Sequence, residues 1–130
     1  MKWSEDYATG VERIDDDHKM IFKMAEDFCI ALDDGKGDSV YSVLLDSLTL
    51  YCSGHFGFEE QCMRKFRCPV AEKNERAHQT FLETLSEFQE RYDANGYNYN
   101  DARELVGTVD RWLEDHICRI DVHLKHCVNK

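Results

Sequence analysis

Leu44-Leu45-Asp46-Ser47-Leu48-Thr49-Leu50-Tyr51-Cys52-Ser53-Gly54-His55-Phe56-Gly57-Phe58-Glu59 decides the fold class. Leu44, Leu48 and Tyr51 recur at steps of four and three, the spacing of one face of an α-helix. The same steps run on to His55 and then to Glu59. Residues one helical turn apart share a face, so an imidazole and a carboxylate are carried toward the side that the apolar residues bury.

Working outward, this second helix extends from about Ser39 to Phe66, with Val40, Val43, Leu44, Leu48, Tyr51 and Cys52 on one side. Asp34-Gly35-Lys36-Gly37 separates it from a first helix, Asp16 to about Asp33, whose stripe is Ile21, Phe22, Ala25, Phe28, Cys29 and Leu32. Asp38 is placed to cap the second helix. Residues up to about Asp15 show no sustained periodicity and read as an N-terminal arm. The only proline, Pro69, sits where a third helix can begin; that helix carries His78, Phe81, Leu82, Leu85, Phe88 and Tyr92 until Asn95-Gly96 stops it. A fourth begins near Asn98 or Asn100 and carries Leu105, Val109, Trp112, Leu113 and Ile120. Strand-like alternation is missing, and the loops are short. The pattern predicts an all-α, antiparallel up-down four-helix bundle with an N-terminal arm.

Each stripe continues onto a polar residue that can ligate metal. The first leads back to His18, the third to His78 with Asn74 one turn earlier, and the fourth on to His116 with Asp121 five residues later. That five-residue offset places Asp121 near the helix end, where the backbone can turn. A lone histidine on an apolar face is more often a hydrogen-bonded core residue, and a lone Glu59 would suit a solvated face. Four histidines on four stripes with two carboxylates do not fit that reading. An unpaired carboxylate in a dry core costs several kcal/mol or takes up a proton. Two iron ions remove the problem, since they take hard oxygen bridges and borderline nitrogen donors. The candidate ligands are therefore His18, His55, Glu59, His78, His116 and Asp121. His123 and His126 lie beyond them and read as exposed residues near a helix C-terminus.

Composition bounds the rest. The 130 residues fit one compact domain, with 42% apolar residues. A net charge of −10 argues against a nucleic-acid partner, because like charge repels phosphate. Nowhere does the chain approach the roughly 18 consecutive apolar residues of a membrane helix. The polar start Met1-Lys2-Trp3-Ser4-Glu5-Asp6 lacks a secretory signal, so a cytoplasmic location is expected. The six cysteines (Cys29, Cys52, Cys62, Cys68, Cys118 and Cys127) form no C-x-x-C pair and are expected to be free thiols in a reducing compartment.

Three motifs carry a family resemblance over nearly the whole chain. Ile14-Asp15-Asp16-Asp17-His18-Lys19 is similar to I-D-x-x-H-K, and His55-Phe56-Gly57-Phe58-Glu59-Glu60 with Met63 to H-F-x-x-E-E-x-x-M. Trp112-Leu113-Glu114-Asp115-His116-Ile117 with Asp121 is similar to W-L-x-x-H-I-x-x-x-D. The chain resembles the bacterial hemerythrins, and Trp3 and Gly10-Val11 look like that family's N-terminal arm. The resemblance implies two non-haem irons bridged by Glu59, Asp121 and a solvent-derived oxo or hydroxo oxygen. It assigns His18 and His55 to one iron and His78 and His116 to the other, with dioxygen or another small diatomic molecule as ligand.

The family's third-helix motif is H-x-x-x-H, and Asn74 stands at its first histidine. Asn74 can ligate through oxygen, hold a water on the iron, or stand aside; the water is favoured because the smaller side chain leaves room for it. Both irons are then open. Rapid autoxidation follows, which ranks an oxygen- or redox-sensing input domain above an oxygen carrier or store, and above a di-iron peroxidase or oxidase. With no dedicated general acid or base beyond the ligands, the domain itself is expected not to be an enzyme. Similar domains occur fused to chemoreceptors and cyclic-dinucleotide enzymes, so residues 1–130 fit one input domain with a fused or separate signalling output. Trp112, Leu113 and Ile117 join Asn74 as expected lining of the ligand pocket. The oligomeric state stays open.

Overall fold

The computed structural model describes residues 3–121 and 123–128; Met1 and Lys2 of the polar N-terminal stretch, and Lys130, lie outside the described residues. Its helices are α1 (Glu12–Asp33), α2 (Gly37–Lys65), α3 (Ala71–Asn95), α4 (Tyr99–His116) and the short α5 (His123–Val128). A π-helical turn, Ile117–Asp121, follows α4 directly, and a 3-10 turn, Glu5–Tyr7, lies in the arm. Short connections make α1 to α4 an antiparallel four-helix bundle, in which α1 packs against α2 and α4, and α2 also against α3. The arm lies on α1, where Trp3 and Tyr7 both meet Phe22. Among the described residues no helix is long and apolar enough to cross a membrane.

Local chemistry sets the helix ends. Asn98 caps α4 by accepting the Asp101 N–H (3.1 Å), and Gly96 ends α3 at φ 74°, a conformation that side chains disfavour. Helix α1 starts earlier than the periodicity suggests. Ile14 is fully buried one turn before His18, and the acidic residues Glu12 and Asp15 suit a helix N-terminus. Asp15 also accepts the N–H and hydroxyl of Thr9, tying the arm to that first turn.

Asp38 does not cap α2. The helix begins two residues sooner than Ser39, at Gly37, where a Cβ would come within 2.5 Å of Leu32 and 2.6 Å of the Tyr97 hydroxyl. The face of α2 is also rotated from the expected one. Val40 and Val43 are exposed, and Tyr41 and Leu45 are buried in their place.

Two apolar clusters result. The larger holds Phe22, Phe28, Leu45, Leu48, Phe81, Leu85, Leu105 and Val109; the smaller holds Ile14, Met63, Cys68, Ile120, Leu124 and Cys127. The candidate ligands lie where the two clusters meet. Full burial of each large side chain contributes about 1.5–3 kcal/mol, and this clamps a polar layer from above and below. Cys68 and Cys127 are paired as a disulfide, with Cα atoms 5.7 Å apart, so the expectation of free thiols fails for these two. The fold brings them together across 59 residues of sequence. Cys29, Cys52, Cys62 and Cys118 are free.

Candidate metal centre

Helix α2 supplies His55 and Glu59 from successive turns, α1 supplies His18, α3 supplies Asn74 and His78, and α4 ends on His116. In an α-helix, five residues would leave Asp121 about 140° round from His116. The π-helical turn Ile117–Asp121 reduces that misfit, because its wider i to i+5 hydrogen-bonded turn lowers the rotation per residue and brings residues five apart nearer to one face. The explanation expected from sequence, a turn at the end of the helix, is therefore replaced: Asp121 belongs to a π-helical turn, and α5 lies beyond it.

All six candidate ligands are brought together and buried. Glu59, Asn74 and Asp121 are 0% exposed, and no histidine of the four exceeds 4%. The two carboxylates divide their oxygens in the same way. Glu59 places Oε2 at 3.3 Å from both His18 Nε2 and His55 Nε2, and Oε1 at 3.1 Å from His78 Nε2 and 3.6 Å from His116 Nε2. Asp121 places Oδ2 at 3.2 Å from His18 Nε2 and Oδ1 at 3.0 Å from His116 Nε2. Two pairs of imidazoles are thus spanned by two carboxylates.

The proton inventory shows that this donor set fits a metal. His55 Nδ1 lies 3.0 Å from Asp17 Oδ2, and His78 Nδ1 lies 3.2 Å from Glu60 Oε2. A neutral imidazole has one N–H, and donating it outward leaves a bare lone pair on Nε2. Those lone pairs face carboxylate oxygens, which only accept. His78 Nε2 also faces His116 Nε2 at 3.0 Å. Glu59 Oε2 and both Asp121 oxygens find no hydrogen-bond partner among the described residues. A cation between the groups resolves every one of these conflicts at once.

The histidines without an outer carboxylate make the same point. Burial lowers the pKa of His18, but Asp121 and Glu59 outweigh it and push it up to about 10. Burial also works against protonation of His116, and Asp121 followed by Glu59 lifts it to about 9. Burial raises the pKa of Glu59, yet the surrounding imidazoles, His116 foremost, hold it well below the usual carboxylate range. Without metal the layer must therefore hold protons; a metal supplies the same positive charge.

Asn74 lies one turn before His78, and neither its Oδ1 nor its Nδ2 has a partner among the described residues. An amide buried in this way costs about 1–3 kcal/mol. Of the expected pocket residues, Trp112 lies against the site, stacked on the His116 ring at 4.3 Å and on Phe81 at 4.2 Å. Leu113 and Ile117 are packing residues of the large apolar cluster.

Sequence reading overlooked four residues. Phe56 stacks on the His78 ring at 3.9 Å and 5°. Asp17 and Glu60 orient His55 and His78, and the Tyr51 hydroxyl donates to Asp17 Oδ1 at 3.0 Å. Asp17 and Glu60 each adjoin a ligand in sequence, about 100° round the helix, which aims them at the neighbouring helix. Only that adjacency could have signalled them.

Comparison with known proteins agrees with this geometry. The hemerythrin HHE cation binding domain matches residues 9–126. A bacteriohemerythrin of Pseudomonas aeruginosa is 32% identical over 115 residues, covering 88% of this chain and 72% of the relative. The bacteriohemerythrin of Stenotrophomonas maltophilia is 30% identical over the same shares of both chains. A myohemerythrin of Theromyzon tessulatum is 26% identical over 124 residues, covering 95% of this chain and 90% of that one.

Proposed function

The chain belongs to the hemerythrin family of non-haem iron proteins, and from that premise we propose that it is a di-iron, dioxygen-reactive sensing domain. The observation that carries the proposal is the division of both carboxylates between two imidazole pairs. Glu59 and Asp121 would bridge two irons, with His18 and His55 on one and His78 and His116 on the other. Bound iron supplies the reducing electrons and the coordination positions that dioxygen or another small diatomic ligand needs.

The chain's own residues set the surroundings. Asp17 and Glu60 fix two imidazole rings with Nε2 turned inward. Phe56 and Trp112 cover the faces of His78 and His116 and keep bulk water away. Asn74 works against them, because it replaces an imidazole with a shorter, hydrogen-bonding amide. Reversible carriage of dioxygen needs a closed, dry pocket, and a second solvent-accepting position speeds oxidation instead. This favours sensing over carriage or storage, with no turnover chemistry of the domain's own. The π-helical turn holding Asp121 packs against α5, so a change at the metals reaches α5 and, through it, a fused or separate output.

The test is to count iron, reduce the protein anaerobically and admit air while recording the visible spectrum. Two irons per chain and rapid oxidation without a lasting charge-transfer band are expected. A band stable for many minutes would favour a carrier.

A further inference from the structure

The two halves of the polar layer offer equal protein donors. Each provides two imidazole nitrogens and one oxygen from each of Glu59 and Asp121. Iron in such mixed oxygen and nitrogen surroundings takes about six ligands. One shared solvent oxygen still leaves each half short. The His78 half has a feature that the His18 half lacks, a fully buried amide with both ends unpartnered, one turn from the ligand His78. Its side chain ends one bond short of an imidazole Nε2, so it stops short of the position that an imidazole there would reach.

Resting on the di-iron reading, we infer that the half formed by His78 and His116 carries a second exchangeable position, beside Asn74, that takes a small anion. Charge selects the ligand class. Glu59 and Asp121 are the carboxylates of the layer, and two irons exceed their combined negative charge, so a loaded site attracts anions. Asn74 Nδ2–H supplies the donor that such an anion accepts, which satisfies the otherwise unpartnered amide. The burial of Asn74, Glu59 and Asp121, each 0% exposed, restricts the position to a ligand of a few atoms. The two halves can then hold one exogenous ligand each at the same time.

Azide is the probe. Oxidised protein is assayed for iron and titrated with azide by calorimetry, beside the Asn74→His and Asn74→Leu variants. Two azides per chain are expected in the native protein and one in Asn74→His. Asn74→Leu, which keeps the space but loses the donor, should bind the second azide about tenfold more weakly. A single azide in the native protein overturns the inference, even if Asn74→His does not fold. Two azides in Asn74→His would place the second position elsewhere and overturn it equally. Fewer than two irons per chain would instead overturn the di-iron reading on which it rests.

Discussion

The half of the metal layer built by α1 and α2 and the half built by α3 and α4 hold the same donors in different surroundings. In the first, Asp17 fixes His55 and is itself fixed by the Tyr51 hydroxyl. In the second, Glu60 alone fixes His78, aromatic rings cover both imidazoles, and Asn74 stands one turn away. Equal ligands with unequal neighbours mean that the donor set decides which metal is held. The neighbours decide what the metal then does.

The largest expected effect comes from breaking both halves together. Glu59→Ala leaves four inward imidazoles without their shared carboxylate. Metal analysis should find iron lost, and denaturant unfolding should show a loss of about 3–5 kcal/mol, as for other severed buried charge pairs. Next, Asn74→His should restore the family's full third-helix motif and close the second half. Stopped-flow spectroscopy of the reduced protein in air should then show oxidation slowed by about tenfold or more. Removing the outer carboxylates separates the halves. Asp17→Ala strands both His55 Nδ1 and Tyr51, whereas Glu60→Ala strands only His78 Nδ1. Both should weaken iron binding by roughly 10–100-fold in competition with a chelator, Asp17→Ala the more.

A pH dependence is the smallest effect. His18 and His116 in the metal-free fold have pKa values raised from 6.5 to about 10 and about 9. Their protonated pairing therefore stabilises the metal-free protein fully below pH 6.5 and is lost as pH rises through about 9 and then about 10. Iron must displace these protons, so loading releases protons and improves as pH rises. Thermal melts across this range should fall for the metal-free protein and stay nearer level for the loaded one.

The same contrast between donors and neighbours runs through what the sequence made legible. The stripes of α1, α3 and α4 each carry one apolar face, and His18, His78 and His116 are buried on the faces read for them. Helix α2 opens Val40-Tyr41-Ser42-Val43-Leu44-Leu45, apolar on two faces, so periodicity could not choose between Val40 with Val43 and Tyr41 with Leu45. The charged run Asp15-Asp16-Asp17 masked the first turn of α1, though acidic residues suit a helix N-terminus. The π-helical turn left one trace, the five-residue step from His116 to Asp121. Asp17, Glu60 and the Cys68–Cys127 pair depend on which helix lies alongside, which no local pattern encodes.

Two metals spanned by Glu59 and Asp121 are the centre of the account, and iron-edge X-ray absorption tests them most directly. Protein loaded to saturation should show imidazole nitrogen scattering and an iron–iron shell at about 3–4 Å. A saturated sample with one iron per chain, or with no iron–iron shell, would contradict it.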